Sequence, residues 1–242
     1  PSDNIDYTSQ MMEFAEEFLS NIDDVDGFIL KSKSPSCGIR DVKVYPKNQK
    51  CSINKKGQGI FSSKIIEKYS TIPIEDEGRL KNYNIRDEFL TKIFTINNLK
   101  CENSILDFHN KNSLLLKSYN EDIYNDLNII VSKENINEDD KTLYKNKVYE
   151  ILNNKRDKSK ILNLIKNIFE KYKTYLSKNE INYFSNLLNL YENRKIPFSS
   201  VIVAIQIYAI RFDDKDLLNQ TFFNPYPIEL ISIADSGKGR NL

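Results

Sequence analysis

The chain has 242 residues, 40 % hydrophobic and 29 % charged, with a formal net charge of +1. It is long enough for one large domain or two small ones, and its balance excludes a disordered chain. No apolar run approaches the ~20 residues that a membrane-spanning helix needs, so no membrane partner is expected. Cysteines 37, 51 and 101 are too few and too scattered for a disulfide framework, which places the chain in a reducing cytosol. The opening residues lack the positive and apolar regions of a secretory leader, and the first is Pro1 rather than Met, which reads as a processed or truncated piece.

In chain order, Met11, Phe14, Ala15, Phe18, Leu19 and Ile22 recur at helical spacing and predict an amphipathic helix near 7–21. Gly27-Phe-Ile-Leu-Lys31 predicts a short buried strand that ends in a Ser/Pro/Cys/Gly loop. Gly57 and Gly59 open a helix from about Phe61 to Lys68, and Thr71–Ile74 predicts the next strand. Helix–strand–helix–strand alternation implies a parallel sheet, and ligands of such sheets bind beyond the carboxyl ends of the strands, where the loop after Leu30 lies.

Glycine draws a boundary after this part. Five of the seven glycines (27, 38, 57, 59, 78) precede residue 79 and the next is Gly237, so the long interval between them predicts helices. One helix carries Leu106, His109, Ser113, Leu114 and Leu116. Another carries Ile161, Leu164, Ile165, Ile168, Phe169, Tyr172 and Leu176. Ser177-Lys-Asn-Glu180 is a capping box that starts a third, with Ile181, Phe184, Leu187, Leu188 and Tyr191 on its apolar face. Pro197 breaks that helix. Ser199–Ile210 is apolar nearly all round and is expected at the centre of a bundle, and Asn224-Pro-Tyr-Pro227 ends the helical region. The expected fold class is therefore an α/β partial parallel-sheet portion (1–98), Rossmann-like in kind, plus an all-helical portion (99–233) and a polar tail (234–242), helix-dominated as a whole.

Charge is segregated. Residues 1–30 carry eight acidic side chains and no Lys or Arg, whereas 31–56 carry Lys31, Lys33, Arg40, Lys43, Lys47, Lys50, Lys55 and Lys56 against Asp41 alone. A second basic block, 141–173, has ten Lys/Arg against Glu150, Asp157 and Glu170. Such blocks serve either as solvated surface or as attractors of anions. For the second block, the tyrosines 144, 149, 172 and 175 add the option of stacking on RNA bases. Against that option, Tyr172 shares the apolar stripe and no RNA-binding signature is present.

The stretch with most chemistry is Lys31-Ser-Lys-Ser34-Pro35-Ser36-Cys37-Gly38. Pro35 restrains the loop, Gly38 permits a turn beside a bulky ligand, and Lys31, Lys33 and Arg40 favour thiolate over thiol. A lone cysteine is more often inert, and one thiolate cannot hold a metal centre by itself. Glu75, Asp76 and Glu77 before Gly78-Arg79 either do acid–base work or solvate a turn. Arg79 has the fork to grip a phosphate, and His109 reads as a packed core histidine.

Gly27-Phe-Ile-Leu-Lys-Ser-Lys-Ser-Pro-Ser-Cys-Gly38 resembles the cluster-binding segment of the thiouracil desulfurase family. Val42-Lys-Val-Tyr45, Gly57-Gln-Gly-Ile-Phe61, Pro73-Ile-Glu-Asp-Glu-Gly-Arg-Leu80 and Arg86-Asp-Glu-Phe-Leu90 continue the resemblance. Asp107-Phe-His109, Leu114-Leu-Leu116, Tyr124-Asn-Asp-Leu127 and Asn224-Pro-Tyr-Pro-Ile-Glu-Leu230 resemble the YbgA-type domain of unknown function that often follows it. The resemblance implies a 4Fe-4S cluster held by three cysteines, whose open iron takes the sulfur of a thiolated pyrimidine base or nucleotide while water replaces it. Cys37 matches the third ligand and Ser34 a family serine beside the site; Ser34 and Glu77 are the catalytic candidates. Lys31, Lys33, Ser36, Gly57, Gly59 and Arg79 are the substrate-binding candidates. The first two ligands, one followed by the family's acid–base Glu, lie in family segments upstream of this sequence. The chain by itself is therefore expected to be inactive. Cys51 and Cys101 match no family ligand. His109 matches a family histidine, but Asn112 and Ser113 stand where the family has further His and Lys. The alternative function is a helical module that binds RNA or a protein partner without catalysis.

Overall fold

The computed structural model describes residues 6–44 and 53–231, and the side chains of all of these except 53–56. Cys51, Lys47, Lys50, the side chains of Lys55 and Lys56, and the 234–242 tail lie outside that description. The described residues form two compact units, 6–97 with 227–231 and Asn98–Tyr226.

In the first unit, α1 (Thr8–Ser20) buries Ala15 and Leu19. Strand β1 (Phe28–Leu30) pairs in parallel with β4 (Ile74–Asp76), with Phe28 opposite Ile74, Ile29 opposite Glu75 and Leu30 opposite Asp76. The predicted Thr71–Ile74 strand is thus displaced toward the C-terminus. Helix α2 (Ile60–Lys68) is followed by a turn in which Ile72 N–H bonds the Tyr69 carbonyl. Pro73 lacks an amide to donate, and it enters the pairing only as acceptor for Phe28 N–H at 3.0 Å. Between the two parallel strands lies an unpredicted antiparallel hairpin, β2 (Val42–Val44) with β3 (Ile53–Gly57), whose register shifts between Lys43 and Val44. Leu19, Leu30 and Ile65 form the core, with Ile22, Phe28, Cys37, Ile39, Phe61, Tyr69 and Ile74 packed on it. A 3-10 turn (Arg79–Lys81) leads into α3 (Tyr83–Cys101).

The second unit is helical, and no strand occurs among its residues. Its helices are α4 (Ile105–Tyr119), α5 (Glu121–Val131), α6 (Glu138–Asn153), α7 (Lys158–Lys173), α8 (Lys178–Glu192), α9 (Phe198–Arg211) and the short α10 (Lys215–Leu218). Ser104, Asn120, Asn137, Asp157 and Ser177 cap α4 to α8 in turn. The predicted Ser177–Glu180 capping box is present, and Asn137 with Asp140 makes a second one. Leu115, Leu116, Leu127, Val148, Ile151, Ile165, Phe184, Val201 and Ile205 are fully buried. The expectation that Ser199–Ile210 is covered all round is wrong. In α9, Val201, Ile202, Ile205, Tyr208 and Ala209 face inward, whereas Val203, Ile207 and Ile210 are 53 %, 57 % and 66 % exposed. Among the described residues no helix is long and apolar enough to cross a membrane.

Candidate functional site

The carboxyl ends of β1 and β4 lie side by side because the strands are parallel, and their loops meet there. Glu77 N–H continues the ladder to the Leu30 carbonyl at 3.1 Å. Its carboxylate then reaches back, accepting from Ser32 N–H at 2.6 Å and pairing with Lys31 Nζ at 3.0 Å. The hydrogen bonds from Lys31 and then from the Ser32 amide hold the Glu77 carboxyl below its ordinary range. The acid–base candidate is therefore an ionised clamp between two loops. One residue on, Lys33 is exposed and adopts a left-handed φ of 58°.

The carboxylate trio does not solvate a turn as a group. Glu75 is 8 % and Asp76 4 % exposed. Glu75 Oε1 accepts from Asp76 N–H at 3.0 Å and from Arg79 Nε at 2.9 Å, and Arg40 Nη2 lies 3.7 Å from the same oxygen. Asp76 Oδ1 accepts from Arg79 N–H at 2.8 Å. Arg79, the phosphate-gripping candidate, thus spends its Nε on a buried carboxylate, the natural partner for a cation that is itself mostly buried.

The cysteine loop is folded on itself. Ser34 Oγ accepts from the amides of Cys37 at 3.2 Å and Ser36 at 3.4 Å, and the Ser34 carbonyl accepts from Gly38 N–H at 2.9 Å. Ser34 therefore shapes the turn that carries Cys37. Ser36 Oγ lies 3.1 Å from Ser34 Oγ and 3.4 Å from Cys37 Sγ. Cys37 is half-buried and packs on the core, whereas the loop composition predicts an exposed thiol. Pro35 and Lys33 take the solvent-facing places instead.

The glycines serve close approach. A Cβ on Gly59 would lie 2.2 Å from the Ser36 carbonyl oxygen, and one on Gly38 would lie 2.7 Å from the Ser34 oxygen. Gly57 belongs to β3, where a Cβ would meet Val44 at 2.7 Å, so the hairpin itself accounts for it. Sequence reasoning passed over Ser62, whose fully buried hydroxyl donates toward the carbonyls of Gly38 at 2.8 Å and Gly59 at 2.9 Å. Its place in the first turn of a helix opened by Gly59 is the signal that marks it.

In the second unit His109 is 3 % exposed. Its Nε2 lies 2.8 Å from Asn128 Oδ1, which only accepts, so that nitrogen carries the hydrogen and Nδ1 accepts from Tyr144 OH at 3.1 Å. Tyr124 stacks on the ring, and burial lowers the His109 pKa and raises that of Tyr144 well above its ordinary value. This is the packed core histidine that its helix position predicts. The 141–173 block divides between these helices. Lys141, Lys147 and Lys173 pair with Glu138, Asp126 and Glu170, Arg156 and Lys158 lie over Tyr119 and Tyr191, and Tyr144 and Tyr172 are buried.

No group of three or more His, Cys, Asp or Glu side chains that could hold a metal ion occurs among the described residues. Two serine hydroxyls flank Cys37, and the other described cysteine, Cys101, ends α3 in the second unit. These residues supply one thiol and do not by themselves fit an iron–sulfur cluster.

Residues 1–77 match the 2-thiouracil desulfurase family, and residues 113–227 match a protein family of unknown function, DUF1722, in that order. No curated protein and no solved structure matches the chain. A 2-thiouracil desulfurase-like domain followed by a DUF1722 segment is therefore present.

Proposed function

We propose that this chain serves the removal of sulfur from a thiolated pyrimidine, base or nucleotide, and that Cys37 is the thiol it brings to that reaction. The observation that carries the reading is the placement of Cys37. The thiol sits in a tightly folded loop at the carboxyl end of β1, inside the segment that matches the desulfurase family, and backbone bonds from α2 hold that loop. The match supports an iron–sulfur cofactor to which Cys37 would contribute one thiolate. Lys33 is exposed beside the loop and supplies positive charge for an anionic substrate, to which Lys31 adds only what its pairing with Glu77 leaves. Glu77 and Arg79 enter as a support for the loop, because each is already engaged by protein groups.

The test is conversion of 2-thiouracil to uracil, followed chromatographically under anaerobic conditions with iron, sulfide and reductant supplied to the full-length polypeptide. Cys37→Ser should reduce the rate at least ~100-fold, whereas Cys51→Ser and Cys101→Ser should stay within about twofold of wild type. Full activity in Cys37→Ser would remove this reading.

A further inference from the structure

We infer that Ser62 is the positioning residue for the Cys37 thiol, an assignment that rests on the desulfurase reading only for its purpose and not for its geometry. The N-cap of helix α2 is Gly59, which has no side chain to cap the orphan amides of the first turn. The cysteine loop does the capping instead: the Ser36 carbonyl accepts from Ser62 N–H at 3.1 Å. Two residues on, the Gly38 carbonyl accepts from Gly59 N–H at 2.8 Å and from the Ser62 hydroxyl at 2.8 Å. Cys37 therefore sits between two peptide carbonyls, and Ser62 grips both of them, one with its backbone and one with its side chain. The amides of Cys37 and Gly38 look inward to Ser34, whose hydroxyl accepts from Cys37 N–H and whose carbonyl accepts from Gly38 N–H.

A serine at this place in a helix ordinarily bonds only its own preceding turn, and the 2.9 Å contact to the Gly59 carbonyl is that bond. The second acceptor is the distinguishing feature. It lies 24 positions away in sequence, next to the thiol, and the hydroxyl reaching it is fully buried, so losing it would leave that carbonyl with one donor fewer in a site that bulk solvent does not reach. Gly59 fits the same purpose from the other side, since any side chain there would push on the Ser36–Cys37 peptide. With both carbonyls fixed, the thiol has only its own side-chain torsion left, which is how a reacting sulfur is kept at one address.

The experiment follows alkylation by iodoacetamide in the full-length chain, with peptide mass spectrometry reading Cys37 and Cys101 separately from about pH 7 to about pH 9. Ser62→Ala removes the hydroxyl and keeps the amide. Well below the melting temperature, its Cys37 rate–pH profile should rise ~3-fold or more above wild type as the half-buried sulfur becomes accessible, while Cys101 stays unchanged. Gly59→Ala should give the same selective rise and stands in if Ser62→Ala does not fold. Superimposable Cys37 profiles overturn the inference, as does an equal rise at both cysteines. Collapse of both variants also overturns it, because these contacts would then hold the fold and not the thiol. Selective change at Cys37 without desulfuration in any form would sink the enzyme reading alone. Desulfuration that needs Cys37 but ignores Ser62→Ala, with unmoved profiles, would sink this inference alone.

Discussion

The chemistry of single residues here is set by who their partners are, and His109 shows it most clearly. Both ring nitrogens are occupied in the neutral form, by Asn128 and Tyr144, and burial lowers its pKa from 6.5. In the window below that value the unfolded chain binds a proton that the folded chain resists, so stability is present above about pH 6.5 and is lost as pH falls through the folded pKa. Urea melts should accordingly show a falling midpoint between about pH 7 and about pH 5.5, and His109→Gln should flatten that fall even though it is less stable throughout. An unchanged pH slope in the variant would mean that other groups carry the dependence. Glu77 titrates with the same sign in a lower range, since its lowered pKa makes the Lys31 and Ser32 contacts stabilising above the ordinary carboxylate value and lost below it. Being substantially exposed, it adds little to global stability; its effect is on the local loop.

At the scale of elements, α9 and α2 show opposite limits of pattern reading. The apolar composition of α9 suggests burial on every side, yet the inward set 201, 202, 205, 208 and 209 covers only one face. Ile205 is fully buried and Ile207 is 57 % exposed on the same helix. Ile205→Ala should therefore cost about 2–5 kcal/mol in chemical denaturation, whereas Ile207→Lys should stay within about 0.5 kcal/mol. Equal costs would place Ile207 in a packed environment. Helix α2 was legible as a helix from its glycines and apolar spacing. Its capping by a distant carbonyl was not, because a backbone acceptor leaves no residue-type signature. The β2–β3 hairpin escaped the same reading because a three-residue strand carries too little alternation to register.

For the molecule as a whole, the first unit has a core around Leu19, Leu30 and Ile65, and the second buries side chains of the helices α4 to α9. Leu127 is fully buried in α5 of the second unit. Leu127→Ala should destabilise that unit by about 2–5 kcal/mol, while the alkylation rate of Cys37, measured below the transition, should stay within about twofold of wild type. A large change at Cys37 would show the units to be energetically one body. The sequence by itself determined the helix-dominated class, the parallel pairing after Gly27, the helical character of the long glycine-free interval and the loop that carries Cys37. These follow from local propensity and periodicity, which act over a few residues. Only the tertiary structure decided that Glu77 and Arg79 are bound by protein groups, that Cys37 is half-buried, and that Ser62 holds its loop. The Glu77–Ser32 and Ser62–Gly38 hydrogen bonds join residues 45 and 24 positions apart, and Arg79 meets Glu75, four positions away, at the buried end of β4; these partners are chosen by the packing of strands and helices rather than by the residues' own chemistry.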